Sequence, residues 1–329
     1  MRSVRVHEFG GPSNMKIEEV AVPSPKPGEI LVRHAFIGIN FADISQREGR
    51  TRGSGTQYET DLPYTPGNEA SGIVEAVGEG VTDFAAGEAV VYRGVFGAYA
   101  EIAAVPAQSV ITVPEGVPLE QAGASLTHGM TAHYVTHDAY PVTAGDWVLI
   151  HAAAGGSGGL VVQMAKASGA VVVATASSAE KLEHVCRLGA DHVINYAETN
   201  FRTECERIPG FEGFHAVLDN VSADTFESDL ALLRPRGTLI IFGASSGPIP
   251  PFDLQRLNQL GSLAIRRTNL KHYVLTRGEL VDRAAAVFDM IRSGTLRLTI
   301  SGIYDLKDVA AAHEQVKGRH SIGKVLLRP

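Results

Sequence analysis

Nine residues, His151-Ala152-Ala153-Ala154-Gly155-Gly156-Ser157-Gly158-Gly159, have the composition and spacing of a turn that holds a pyrophosphate. Glycine lets the backbone come close to phosphate oxygens, and the N-terminus of the next helix offers free N–H groups and partial positive charge. The turn lies between a strand-like run, Trp147-Val148-Leu149-Ile150, and a helix-like run from Leu160 to Lys166. A second apolar strand, Val171 to Ala174, follows the stop at Gly169-Ala170. Strand, glycine turn, helix and strand in that order make a dinucleotide-binding unit.

The end of the second strand indicates which dinucleotide. An Asp or Glu there would hold free ribose hydroxyls. The sequence instead reads Ala174-Thr175-Ala176-Ser177-Ser178, with Lys181 one helical turn onward. Hydroxyls and an ammonium suit a 2′-phosphate, which a carboxylate would repel. The expected cofactor is therefore NADPH. Ser178 is also placed to cap the helix that begins at Ala179.

The whole chain narrows the function classes. It has 329 residues, a formal net charge of -7 and two cysteines, Cys186 and Cys205. An acidic balance argues against nucleic acid as a partner. Two cysteines cannot build a disulfide framework or a four-thiolate zinc site. His128, His133 and His137 read as helix residues, and no metal site is expected. The N-terminus lacks the apolar core of a signal peptide, and no apolar run reaches membrane-spanning length. A soluble, cytoplasmic protein that does not engage membranes is expected.

Elements of two kinds must position these residues. Up to about residue 120 the chain reads as short strands bounded by Pro and Gly, such as Glu29–Arg33, Ser71–Val77 and Glu88–Tyr92. From about 121 helices and strands alternate, which means a parallel sheet covered on both faces. The strands after Val171–Ala174 are expected at His192–Ile194, His215–Leu218 and Gly237–Gly243, with helices at Ala179–Leu188 and Phe226–Leu233. Glu279–Ile291 has helical spacing, and a helix from Leu306 to Val316 precedes a last strand, Lys324–Leu327. The fold class is α/β: a Rossmann doubly wound parallel sheet, residues 122–265, inserted in a β-barrel domain formed by 1–121 and 266–329.

Several stretches resemble the zinc-independent quinone oxidoreductases, the zeta-crystallin-like group of the medium-chain dehydrogenase/reductase superfamily. They are Gly38-Ile39-Asn40-Phe41-Ala42-Asp43, Pro66-Gly67-Asn68-Glu69-Ala70-Ser71-Gly72, Val77-Gly78-Glu79-Gly80-Val81, His151 to Gly158, Gly189 to Tyr196, and Arg236-Gly237. The resemblance implies that the β-barrel is a GroES-like catalytic domain. Zinc-dependent relatives carry a cysteine at Asn40 and a histidine at Asn68, and an amide is a poor zinc ligand. Zinc-assisted alcohol oxidation is thereby disfavoured.

The resemblance also implies cofactor contacts. They fall at Asn40, Thr127, Thr131, Ala154, Gly155, Gly156, Ser157, Gly158, Ser177, Lys181, Tyr196, Asn220, Phe242, Gly243, Ser245, Arg319 and Lys324. Arg319 could instead pair with a neighbouring acid, and Lys324 could lie on an exposed strand face. The implied activity is hydride transfer from NADPH to a quinone, which needs neither protein nucleophile nor metal. An alternative is reduction of an activated C=C bond in an enone or enoyl thioester, which benefits from a proton donor. Asn40, Tyr58 and Tyr64 are the candidate catalytic residues, the two tyrosines as donors or as packing residues. A third reading is an NADPH-binding protein without turnover. Homodimers are implied, with Gly261–Arg266 as the edge strand that pairs.

Three departures bear on substrate choice. Ser45 and His133 stand where tyrosines are expected, although Tyr134 is adjacent. The segment from Arg47 to Tyr58, with Arg47, Arg50 and Arg52, is longer and more basic than the group's pattern. It could attract an acidic substrate, but it reads more simply as a solvated loop.

Overall fold

The computed structural model describes residues 1–51, 59–318 and 321–329. Two compact units divide the chain: Met1–Thr127 with Ala284–Arg292 and Leu298–Pro329, and His128–Arg283 with Ser293–Arg297.

The first unit begins with the short strands that Pro and Gly punctuation demands. They are β1 (Arg2–Val6), β2 (Met15–Glu19), β3 (Glu29–Gly38), β4 (Glu69–Val77), β5 (Ala89–Arg93), β6 (Ile102–Pro106) and β7 (Val110–Thr112). Helix α1 (Phe41–Arg47) lies between β3 and β4, and α2 (Leu119–Tyr134) follows β7. Asn40 starts α1 with a capping box: its side chain serves the N3 backbone, and Asp43 reaches back to the Asn40 N–H at 2.9 Å.

The second unit has the alternation expected of it. Its elements are β8 (Trp147–Ile150), α3 (Gly156–Ala167), β9 (Val171–Ala176), α4 (Ala179–Arg187), β10 (His192–Asn195), α5 (Phe201–Glu206), β11 (Phe214–Asp219), α6 (Phe226–Leu232), β12 (Leu233–Ile241), α7 (Gln255–Gln259), β13 (Ala264–Arg267) and the start of α8 (Arg277–Arg292). The described strands form one parallel sheet in the order β10-β9-β8-β11-β12-β13. This is the doubly wound order, and its direction reverses between β8 and β11, where such sheets bind dinucleotides. The strand expected at Gly261–Arg266 is β13, at an edge of this sheet. His128 and His133 lie in α2, and His137 in the π turn after it, so they are helix residues as expected.

The chain then returns to the first unit with β14 (Ile300–Asp305), α9 (Val309–Lys317) and β15 (Lys324–Arg328). The larger sheet there runs β14-β15-β3-β4-β5-β7, with β6 also paired to β3. Val4, Val32, Tyr92, Tyr99, Val309 and Leu327 belong to its core. Leu149, Val173, Phe214, Val217, Phe226 and Ile241 belong to the core of the parallel-sheet unit. No helix of the described residues is long and apolar enough to cross a membrane.

One expectation fails here. Arg47 is not part of a solvated loop: it ends α1 with no solvent exposure, bonded to the Gly10 carbonyl and, at 3.3 Å, to His313 Nδ1. Counting charges along the segment could not reveal acceptors so distant in sequence. Arg50 is exposed and paired with Glu48; Arg52 and Tyr58 lie outside the described residues.

Candidate active site

In the parallel-sheet unit the glycine turn is built against its own backbone. Ala152 adopts φ 47°, the Ala153 N–H donates to the Thr175 carbonyl at 3.0 Å, and the Gly155 N–H to the Ala152 carbonyl at 3.0 Å. A Cβ on Gly158 would lie 2.4 Å from the Ala152 oxygen, and one on Gly156 would lie 2.2 Å from His128 Nδ1. Gly155 caps α3 without a side-chain hydrogen bond. The first N–H groups of α3 thus face the turn with no side-chain acceptor, which is the chemistry a pyrophosphate completes.

The ends of β9 and β10 carry the expected polar group. Ser178 Oγ accepts from the Lys181 N–H at 3.4 Å, so it does cap α4, and Lys181 Nζ donates to Ser177 Oγ at 3.2 Å. The Tyr196 N–H donates to the Ala176 carbonyl at 3.1 Å and draws Tyr196 to the same strand end. A hydroxyl and an ammonium meet there, and the strand-end sequence Ala176-Ser177-Ser178 has no acid. Asn220, Phe242, Gly243 and Ser245 meet at the ends of β11 and β12. The Phe242 N–H donates to the Asp219 carbonyl at 2.8 Å and the Ser245 N–H to the Asn220 carbonyl at 3.3 Å. A Cβ on Gly243 would approach that Asn220 oxygen to 2.4 Å. Asn220 Oδ1 is buried with no partner among the described residues, an acceptor left open. These cradles fit a phosphorylated dinucleotide.

In the first unit, Asn40 and Lys324 are brought together. Lys324 Nζ donates to Asn40 Oδ1 and Glu69 Oε2, each at 2.8 Å, and Asn40 Nδ2 donates to Glu69 Oε2 at 3.1 Å. Lys324 is 3% exposed, so it does not lie on an open strand face. The Thr127 N–H donates to Glu69 Oε1 at 2.6 Å, while Thr127 Oγ1 is buried without a partner among the described residues. Thr131 lies one turn further along α2. Arg319 is outside the described residues.

Behind Asn40 is a polar chain that local sequence reading does not find. Asp43 accepts from Asn68 Nδ2 at 2.9 Å and from Tyr99 OH at 3.1 Å. Tyr99 OH also contacts His313 Nε2 at 2.9 Å. Arg47 Nε can only donate, so His313 Nδ1 accepts and Nε2 carries the proton. Burial, reinforced by Arg47, lowers His313 to about 3, so the ring stays neutral. Burial pushes Asp43 up to about 7, a rise limited by the Asn40 N–H, Lys324 and Tyr99. The one legible signal was the three-residue spacing from Asn40 to Asp43; nothing local marks Tyr99 or His313. Tyr64 is a core residue against Phe9, with its hydroxyl partnerless among the described residues. Burial and then the Asp43 charge keep its phenol protonated.

These donors do not fit zinc. The Asn40 amide is engaged by Glu69 and Lys324, the Asn68 amide by Asp43, and the local cation is an ammonium. The described residues contain no group of three or more His, Cys, Asp or Glu arranged to hold a metal.

Residues 26–115 match the alcohol dehydrogenase GroES-like domain family, and residues 156–286 match the zinc-binding dehydrogenase family. Over 329 residues the chain is 39% identical to a 2-haloacrylate reductase of a Burkholderia species (98% of each chain). It is 36% identical to quinone oxidoreductase 1 of Escherichia coli K12 (99% of each chain). The chain belongs to the quinone oxidoreductase family of the medium-chain dehydrogenase/reductase superfamily. A solved family member, the E. coli quinone oxidoreductase in complex with NADPH, superposes with a TM-score of 0.94 at 36% identity, covering all of both chains. Membership in this family accounts for the GroES-like unit, the doubly wound sheet and the amides at the zinc positions.

Proposed function

We propose that the protein is an NADPH-dependent quinone reductase that works without a metal. The observation that carries the cofactor is Lys181 bonded to Ser177 at a strand end whose sequence, Ala176-Ser177-Ser178, has no acid. NADPH, when bound, supplies the hydride, and the protein supplies orientation. In the parallel-sheet unit the glycine turn and α3 hold the pyrophosphate, Ser177, Lys181 and Tyr196 hold the 2′-phosphate, and the Asn220–Ser245 group holds the remainder. In the first unit Glu69 and Lys324 hold the Asn40 amide in one orientation. Tyr64 is closed off in the core and is not assigned as a proton donor.

The similarity to a 2-haloacrylate reductase favours a second reading, reduction of an activated C=C bond. NADPH oxidation is followed at the nicotinamide absorbance with 1,4-benzoquinone and crotonyl-CoA in parallel, and with NADH as control. Turnover with benzoquinone and NADPH is expected. Turnover with crotonyl-CoA alone would transfer the protein to the second reading, and binding without turnover would make it an NADPH-binding protein. We further assign it to the cytoplasm as a homodimer joined along β13, the sheet edge. A monomer at micromolar concentration in light scattering would refute the dimer.

A further inference from the structure

His151 and Asp229 form a buried pair that the assignments above leave without a role. His151 follows β8 and opens the glycine turn at 2% exposure; Asp229, in α6, is fully buried. His151 Nε2 lies 2.7 Å from Asp229 Oδ1, and His151 Nδ1 lies 2.9 Å from Thr175 Oγ1 on β9. The Phe201 ring stands edge-on to the imidazole at 4.9 Å. Asp229 Oδ2 has no partner among the described residues, so His151 is the principal partner of this carboxyl group.

The pair belongs to a longer chain of bonds. Toward β9, Thr175 holds the turn twice, through its hydroxyl to His151 and its carbonyl to the Ala153 N–H. Toward β11, the Asp229 N–H donates to the Thr225 carbonyl, and Thr225 Oγ1 donates to Asp219 Oδ2 at 2.9 Å. Asp219 also accepts from the N–H groups of Val221 and Ser222 at 2.6 and 2.8 Å, which sets the loop that begins at Asn220. The glycine turn and the Asn220 loop flank the point where strand order reverses, and this chain of bonds ties one to the other.

Apolar side chains could fill the same volume without the desolvation cost of a buried charge, so packing alone does not account for the pair. The titratable groups that face it are Asp219, at the end of β11, and Cys205, on α5. Burial pulls the His151 ring down, but the Asp229 and Asp219 carboxylates more than offset this, and the net shift is upward.

We propose that His151 and Asp229 are positioning residues that hold the glycine turn and the Asn220 loop in the arrangement that binds the dinucleotide, and so set NADPH affinity. The proposal rests on the NADPH reading. It is tested by titrating NADPH into wild type, Asp229→Leu, Asp229→Asn and Thr175→Val by calorimetry, with steady-state kinetics alongside. Asp229→Leu is expected to weaken NADPH about tenfold or more, because a binding loop displaced by a fraction of an ångström loses its contacts. The KM for NADPH rises far more than kcat falls, and the KM for benzoquinone moves little. Asp229→Asn keeps an oxygen acceptor for His151 Nε2 and recovers most of the affinity. Thr175→Val, which deletes one hydroxyl, gives a smaller loss and serves if Asp229→Leu does not fold. Wild-type affinity in both Asp229→Leu and Thr175→Val would overturn the proposal alone. So would equal losses of NADPH affinity, kcat and quinone KM. Wild type that binds neither NADPH nor NADH would overturn the cofactor reading as well.

Discussion

Lys324 Nζ and Glu69 Oε2 lie 2.8 Å apart with both side chains closed off from solvent, although 255 residues separate them in the chain. Removing one partner strands the other charge in the interior, which costs about 3–5 kcal/mol. Lys324→Met is therefore expected to lower the unfolding free energy by that order in urea titrations. The double variant Lys324→Met/Glu69→Leu should recover more than half of the loss. Unchanged stability in the single variant would mean that the pair contributes nothing to the fold.

Lys181→Glu places a carboxylate where Lys181 Nζ now meets Ser177 Oγ. A charge-assisted hydrogen bond is worth about 1.5–3 kcal/mol, so the KM for NADPH should rise roughly 10- to 150-fold. The KM for NADH should stay within about threefold, because it has no 2′-phosphate to repel. Equal losses for both cofactors would remove Lys181 from the 2′-phosphate site.

Gly158→Ala introduces a methyl 2.4 Å from the Ala152 oxygen, a contact real Cβ atoms do not make. The turn must open to admit it. Calorimetric titration should show NADPH affinity reduced by about tenfold or more, whereas wild-type affinity would show that the turn is not part of the site.

Acid should destabilise the protein through His34. Its Nδ1 contacts the Ala100 carbonyl at 2.7 Å and its Nε2 meets Tyr92 OH at 2.9 Å, a set satisfied by the neutral ring. Burial lowers it from 6.5 to about 4. Between these values the unfolded chain takes up a proton that the folded ring refuses, so stability falls as pH falls. The contribution reaches about 3 kcal/mol at the acid end. Urea titrations from pH 7 to pH 4.5 should show it, and His34→Leu should take up about one proton fewer on unfolding. An identical pH slope in the variant would contradict this account.

The parallel-sheet unit was legible because its signals are local. Trp147–Ile150, the glycines and the stop at Gly169 fall within 23 consecutive residues, and the missing acid at Ser177 could be read by inspection. The Asn40 site was legible only in part. Resemblance placed Asn40 and Lys324, but not the bonds from both to Glu69, since those residues meet only through the pairing of β15 with β3. Arg47 looked like one charge among several because composition records no neighbours, and its partners include Gly10 and His313, far off in sequence. Asp229 could not be distinguished from the acids that commonly open a helix; only tertiary packing sets it against His151.

The pairing of β15 with β3, Leu326 opposite Gly38 and Leu327 opposite Ile37, also bears on biosynthesis. Ribosomes deliver β3 almost 290 residues before its partner strand. The parallel sheet of the second unit emerges as one uninterrupted stretch and can assemble during translation. The first unit cannot be completed until β15 emerges, and until then Ile37 and Gly38 form an unpaired apolar edge. The nascent chain is thus most exposed to aggregation in the portion synthesised first.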